Sequence, residues 1–137
     1  MKKQKAIKVG NTLFVGISIL GLGSVSLLSL YNPQATMDLV RVNLTNTDAI
    51  SSIRGIYGGV GLTIVISLCY LLFQRVIVAV QFLTLFWCSY ALSRLITIFI
   101  DGPLGGFGNQ WIVIESIFFL FGIILLFLNR NLKYEQH

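Results

Sequence analysis

The sequence predicts an all-α integral membrane protein, a four-helix transmembrane bundle with both termini in the cytoplasm. Composition, four long apolar runs and the placement of basic residues lead to this prediction. Of the 137 residues, 55% are hydrophobic and 11% are charged, and the mean hydropathy is +0.83. A soluble domain of this size needs a polar shell, which 10 basic and 5 acidic side chains cannot provide.

Four runs are long enough to cross a membrane, which takes about 20 apolar residues. They extend from Thr12 to Leu30, Ile53 to Phe73, Ile77 to Ile100 and Trp111 to Leu128. A single helix from residue 53 to residue 100 would be about 70 Å long, more than twice the hydrocarbon thickness, so the chain must turn at Gln74-Arg75. The prediction is therefore one transmembrane domain, residues 1–137, with outer loops at 31–52 and 101–110.

The basic residues predict the orientation. With four spans both termini share a side, and 7 of the 10 basic residues lie there. These seven are Lys2, Lys3, Lys5, Lys8, Arg75, Arg130 and Lys133. Because lysine and arginine concentrate on the cytoplasmic side, both termini are expected in the cytoplasm. The net charge of +5 then reflects topology and contact with anionic lipid headgroups, so membrane lipids are expected partners and nucleic acid is not.

The sequence carries no pattern typical of a soluble catalytic domain. No nucleophile and base pair, and no cluster of histidine, cysteine and carboxylate residues with metal-ligand spacing, is present. We therefore expect no catalytic residue, no metal site and no cofactor, which favours a non-enzymatic protein. Cys69 and Cys88 differ in depth by about 12 Å, beyond the usual disulfide limit of about 7 Å between Cα atoms, so both are expected to be free thiols.

The stretch "SSIRGIYGGVG" opens the second span with four glycines. Gly55 and Gly59 have the small-xxx-small spacing that lets helix backbones approach closely in lipid, and Gly58 and Gly61 open a neighbouring groove. The expected partner is the first span. Its own glycines are Gly16, Gly21 and Gly23.

A layer of polar residues is predicted near the outer ends of three spans. Measured from the turn at residues 74–75, Arg54 and Arg94 both lie about 29 Å up. By the same measure Tyr57 lies about 25 Å up and Tyr90 about 22 Å up, and Glu115, counted fifteen residues back from Arg130 along the fourth span, also comes to about 22 Å. Asp101 belongs to the same helix face as Tyr90, Arg94 and Thr97, because these residues follow the i, i+4, i+7, i+11 spacing.

Three interpretations of this layer stay open. The groups satisfy each other, with Glu115 paired to one arginine and Asp101 to the other. Alternatively, they form an outward-facing pocket for an anionic or polar headgroup, since guanidinium binds carboxylate and phosphate well. The third interpretation is a membrane-embedded enzyme or small transporter that uses Glu115 with Arg54 or Arg94.

Several short motifs together resemble a known family. They are "SSIRGIYGG" leading the second span, an arginine in the third in "ALSRL", a "DG" at its end, and a glutamate early in the fourth in "WIVIES". Together they are similar to the bacterial membrane proteins grouped as domain of unknown function 4345. The resemblance implies four spans in a bacterial plasma membrane and implies no activity or ligand. The residues that match its pattern are Arg54, Gly55, Tyr57, Gly58, Arg94, Asp101 and Glu115.

The sequence as a whole thus predicts a small multi-pass membrane protein. It either binds a lipid or another small, lipid-like or anionic molecule in the charged pocket, or acts as an accessory subunit, as a homo-oligomer or within a larger membrane complex. The alternative is a membrane-embedded enzyme or small transporter that uses Glu115 with Arg54 or Arg94. The predicted ligand-binding residues are Arg54, Tyr57, Tyr90, Arg94, Asp101 and Glu115.

Overall fold

A computed structural model of the chain describes residues 2–134, with the backbone alone described for residues 132–134, so the side chain of Lys133 lies outside the description. These residues form helices and connections, without a strand. In chain order the elements are α1 (Lys2–Tyr31), α2 (Pro33–Asp38), α3 (Thr47–Ile53), a π-helical segment (Arg54–Val60), α4 (Gly61–Gln74), α5 (Val76–Ile100) and α6 (Gly106–Tyr134).

Four helices are long and apolar enough to cross a membrane, which confirms the predicted all-α membrane fold. They cover Lys2–Tyr31, Thr47–Gln74, Val76–Ile100 and Gly106–Asn131. The second of these joins α3, the π-helical segment and α4 into one continuous span. The helix is interrupted at Arg75, whose φ of −149° and ψ of 62° are not helical, at the position where the turn is predicted.

The helices extend beyond the predicted apolar runs. The first begins at Lys2 rather than Thr12, and the fourth begins at Gly106 rather than Trp111. The hydrogen-bond ladder continues into polar flanks, because hydropathy reports the membrane-buried part of a helix and not its ends. The loop predicted at 101–110 therefore shortens to residues 101–105, where Gly102 has a φ of +108°.

The loop predicted at 31–52 is also largely structured. Asn32 caps α2 and Asn46 caps α3, each accepting a hydrogen bond from the backbone N–H three residues later. Thr47 and Asp48 are also residue types that cap helices, but they lie inside the first turn of α3 and Asn46 is the cap. The Ser29 and Thr36 hydroxyls, 2.8 Å apart and buried, join α2 to the end of α1.

The chain divides into two compact units. Among the described residues the first contains 2–15 and 75–134, and the second contains 16–74. In the first unit α5 and α6 pack along each other. A Cβ atom at Gly122 of α6 would collide with the Thr84 side chain of α5, so the two backbones approach closely there.

The start of α1 packs on α6 in this same unit. Phe14 is buried and its ring centroid lies 5.9 Å from those of Phe118 and Phe121. Asn11 and Asn129 exchange two amide hydrogen bonds, both 3.0 Å long. This reciprocal pair joins α1 to α6 with polar groups that would be costly to leave unpaired in lipid.

In the second unit the end of α1 packs on the π-helical segment. Gly58 is buried, and a Cβ atom there would lie 2.7 Å from the Leu30 side chain and 3.2 Å from the Leu30 backbone nitrogen. At Gly61 an added Cβ atom would collide with the Ser26 hydroxyl. Both glycines therefore permit a close approach between two helices, as predicted for them.

Candidate functional site

The centre of the candidate site is an ion pair between α5 and α6. Arg94 Nε donates to Glu115 Oε2 at 2.7 Å, and Arg94 Nη2 donates to Oε1 at 2.8 Å. The Glu115 side chain is 1% exposed and that of Arg94 is 20% exposed. Both carboxylate oxygens are thus occupied in a site that water barely reaches. One of the three interpretations of the sequence pairs Glu115 with one of the two arginines, and in the structure that arginine is Arg94.

The Arg94 guanidinium also lies near an aromatic ring. Its carbon Cζ lies 6.0 Å from the centroid of the Phe107 ring, near the start of α6. Nη1 makes no hydrogen bond with any residue in the described part of the chain. The guanidinium therefore has a neutralising partner, while its Nη1 donors have no partner among the described residues.

Tyr90 and Asp101 extend this face of α5 in opposite directions. Tyr90 is 41% exposed, and its ring centroid lies 4.9 Å from that of Phe86. Asp101 follows the last residue of α5, where its backbone N–H donates to the Thr97 carbonyl. Its carboxylate forms no ion pair with residues 2–131, so the predicted pairing of Asp101 with an arginine is wrong within these residues. The reason is that Asp101 lies past the end of the helix, in an exposed turn.

Arg54 and Tyr57 belong to the second unit. Arg54 Nε donates to the Leu30 carbonyl at 3.0 Å. Carbonyl groups in the last turn of a helix lack intrahelical partners and carry the negative end of the helix dipole, so Arg54 caps α1. Neither Asp38 nor Asp48, the carboxylates of the same unit, pairs with Arg54. Tyr57 is 38% exposed on the π-helical segment.

Two of the four predicted packing glycines do not meet a helix. A Cβ atom at Gly55 or Gly59 would have no atom within 4 Å, which corrects the prediction that this pair packs on the first span. Gly58 and Gly61 fill that role because their Cα–H groups point to α1, whereas Gly55 and Gly59 point elsewhere on the same helix. Spacing alone does not reveal which side of a helix faces its neighbour.

Gly55 and Gly59 are the first two members of a row of small residues along the second span. Gly55, Gly59, Thr63 and Ser67 recur every fourth residue, and all four are exposed. The Thr63 hydroxyl donates to the Gly59 carbonyl and the Ser67 hydroxyl donates to the Thr63 carbonyl, so neither needs another hydrogen-bond partner. We call this row the small-residue face. It begins in the π-helical segment. This geometry is rare in proteins, and where it occurs it is often found at functional sites.

Cys69 and Cys88 are free thiols of intermediate burial, as predicted. Within residues 2–134 no three histidine, cysteine or carboxylate side chains lie close enough to hold a metal ion.

Four long apolar helices and a buried ion pair between two of them define a multi-pass helical membrane protein. Residues 11–128 match the family described as Domain of unknown function (DUF4345), and the chain belongs to this family. No curated protein and no solved structure matches the chain.

Proposed function

We propose that the protein is a non-enzymatic accessory subunit of a bacterial plasma membrane that assembles through the small-residue face. The observation that carries this proposal is the open space beside Gly55 and Gly59. The span that contains them has a mean hydropathy of 2.1, yet only 11% of its apolar window is buried within the chain. Its free surface is therefore available to another helix.

A second copy of the chain is the partner that suits this face. In lipid, helix association depends on close packing, since hydrocarbon surrounds apolar side chains as well as a neighbouring helix does. Small residues at every fourth position allow two helix backbones to approach closely over several turns. Such a row is self-complementary, so two copies can bring the same face together about a two-fold axis.

The proposal predicts that Gly55→Leu/Gly59→Leu removes the dimer and leaves the monomer stable. Two leucines would separate the paired helices by the width of a side chain, whereas no atom of the chain lies where they would be added. The measurement is light scattering after size exclusion in mild detergent, together with thermal unfolding. Gly16→Leu/Gly21→Leu is a matched control, because these α1 glycines also have open space beside them. A parent protein that is monomeric at all concentrations would contradict the proposal.

Binding of a small anionic or lipid-like molecule is the second candidate function. The observation that favours it is the partly exposed Arg94 guanidinium, with Nη1 free of hydrogen bonds to described residues. Guanidinium groups bind phosphate and carboxylate through such donors. The pocket would then lie on the Arg94 side of the ion pair, because the Glu115 side is closed.

An enzyme or transporter that uses Glu115 with Arg54 or Arg94 has less support. Proton transfer requires a carboxylate that can reach a substrate or water. The Glu115 side chain is 1% exposed, and both of its oxygens already accept hydrogen bonds from Arg94.

The proposed orientation, with both termini in the cytoplasm, has its own test. In a variant with Cys69 and Cys88 replaced, a cysteine at exposed Asn43 should react with a membrane-impermeant maleimide in intact cells. A cysteine at Arg75, in the opposite connection, should react only after lysis. The reverse labelling pattern would overturn the orientation.

A further inference from the structure

The N-terminal turns of α1 form a basic surface that the proposed function does not use. Lys2, Lys5 and Lys8 are exposed and recur every third residue, so they follow one side of the helix. Together with Gln4 they border a shallow, open space of about 510 Å³ along this one helix, which we call the basic cleft.

An apolar cleft lies directly beside the basic one. Its volume is about 340 Å³, and Lys5 and Lys8 line both clefts. The rest of its lining comes from Val9, Thr12 and Leu13. The Thr12 hydroxyl donates to the Lys8 carbonyl at 3.1 Å, so its donor is already used and the cleft is apolar in character.

The opposite side of α1 holds this surface in place. Asn11 is bound to Asn129 of α6, and a Cβ atom at Gly10 would lie 3.1 Å from the Leu125 side chain. Ile7 and Phe14 are buried on that side. Since these contacts fix the rotation of the helix, the lysines and the apolar cleft point away from α6.

We propose that these two clefts bind one anionic phospholipid, with the phosphate between Lys5 and Lys8 and an acyl chain along Val9 and Leu13. Ammonium groups are compact charges suited to phosphate, and basic residues next to a membrane span attract anionic lipid. If the lysines had no apolar surface beside them, a free anion would fit the site as well as a lipid headgroup. The shared lysines place charge and apolar surface next to each other, as an amphiphile requires.

Native mass spectrometry of the full chain in detergent, titrated with phosphatidylglycerol, tests the proposal. Because one lysine near a membrane surface contributes about fivefold to anionic lipid binding, Lys2→Gln/Lys5→Gln/Lys8→Gln should weaken binding of the first lipid by about 100-fold. The matched control Lys3→Gln/Arg75→Gln/Arg130→Gln removes the same charge outside the clefts and should have a much smaller effect. Thermal unfolding verifies that both variants are folded.

A second pair of measurements distinguishes the lipid from a free anion. Val9→Ser/Leu13→Ser should lower phosphatidylglycerol binding, and inorganic phosphate at millimolar concentration should not displace the lipid from the parent. Equal losses in the two triple variants would overturn the proposal in favour of a diffuse charge effect. Full displacement by inorganic phosphate, or equal binding of phosphatidylcholine, would also overturn it.

Discussion

Glu115→Ala is expected to lower the free energy of unfolding by about 3–5 kcal/mol, the largest effect of any single substitution considered. The alanine leaves the Arg94 guanidinium without its carboxylate partner between two apolar helices. A charge in that position has little access to water, since the Arg94 side chain is 20% exposed. Thermal or denaturant unfolding in a fixed detergent measures the loss.

A double substitution separates charge from packing. Arg94→Met/Glu115→Leu removes both charges and retains apolar volume, and replacement of a buried ion pair in this way is often neutral or stabilising. We therefore expect the double variant to recover most of the stability that Glu115→Ala loses.

If Glu115→Ala instead melts like the parent and a co-purifying small molecule is lost, the site is an open pocket and the second candidate function gains support. Unchanged melting with no change in bound molecules would contradict both accounts.

Gly58→Leu/Gly61→Leu is expected to produce the second-largest effect. Added side chains at these positions would enter space occupied by Leu30 and Ser26, including the Leu30 backbone. Overpacking of this kind costs about 1–3 kcal/mol per site, which outweighs a gain of about 1 kcal/mol in helix propensity when glycine is replaced. The melting temperature of the monomer should fall.

The Gly55→Leu/Gly59→Leu protein is the matched control for that experiment. Its substitutions lie in the same span and have the same chemistry, but they face open space within the chain. The two double variants should therefore behave in opposite ways, one losing monomer stability and the other losing the dimer. Equal loss of monomer stability in both would contradict the assignment of the two faces.

The sequence predicts the number of spans because hydropathy over about 20 residues is a strong signal. Counting residues along the spans also places Arg94 and Glu115 in one polar layer near the outer ends, and these two side chains form an ion pair. The exact ends of the helices are harder to predict from the sequence. Asn46, rather than Thr47 or Asp48, caps the second span, because several neighbouring residues have equal capping preference.

Rotation about the helix axis is the main property that the sequence leaves undetermined. The GxxxG spacing favours Gly55 and Gly59, yet Gly58 and Gly61 contact α1. The seven-residue π-helical segment changes the angle between successive residues, so a count based on 3.6 residues per turn does not apply there. The hydrogen-bond acceptor of Arg54 could not be predicted either, because the Leu30 carbonyl is a backbone group that no sequence pattern marks.

The asparagine pair was not among the predicted residues, although a signal exists. Asn11 directly precedes the first predicted apolar run and Asn129 directly follows the fourth. Their positions at opposite ends of the chain conceal that they form one reciprocal contact. Amide side chains next to transmembrane segments merit a search for such partners, since interhelical hydrogen bonds hold helices together in lipid.

Disulfide crosslinking in native membranes tests the proposed assembly most directly. In a variant with Cys69 and Cys88 replaced, a cysteine at Gly59 would lie on the small-residue face of both copies, within reach of its own counterpart. A cysteine at Gly58 would be buried against Leu30 and is the matched control. Mild oxidation should convert the Gly59→Cys chain to a covalent dimer and leave the Gly58→Cys chain monomeric. Monomers alone from Gly59→Cys, or equal crosslinking at both positions, would contradict association through this face.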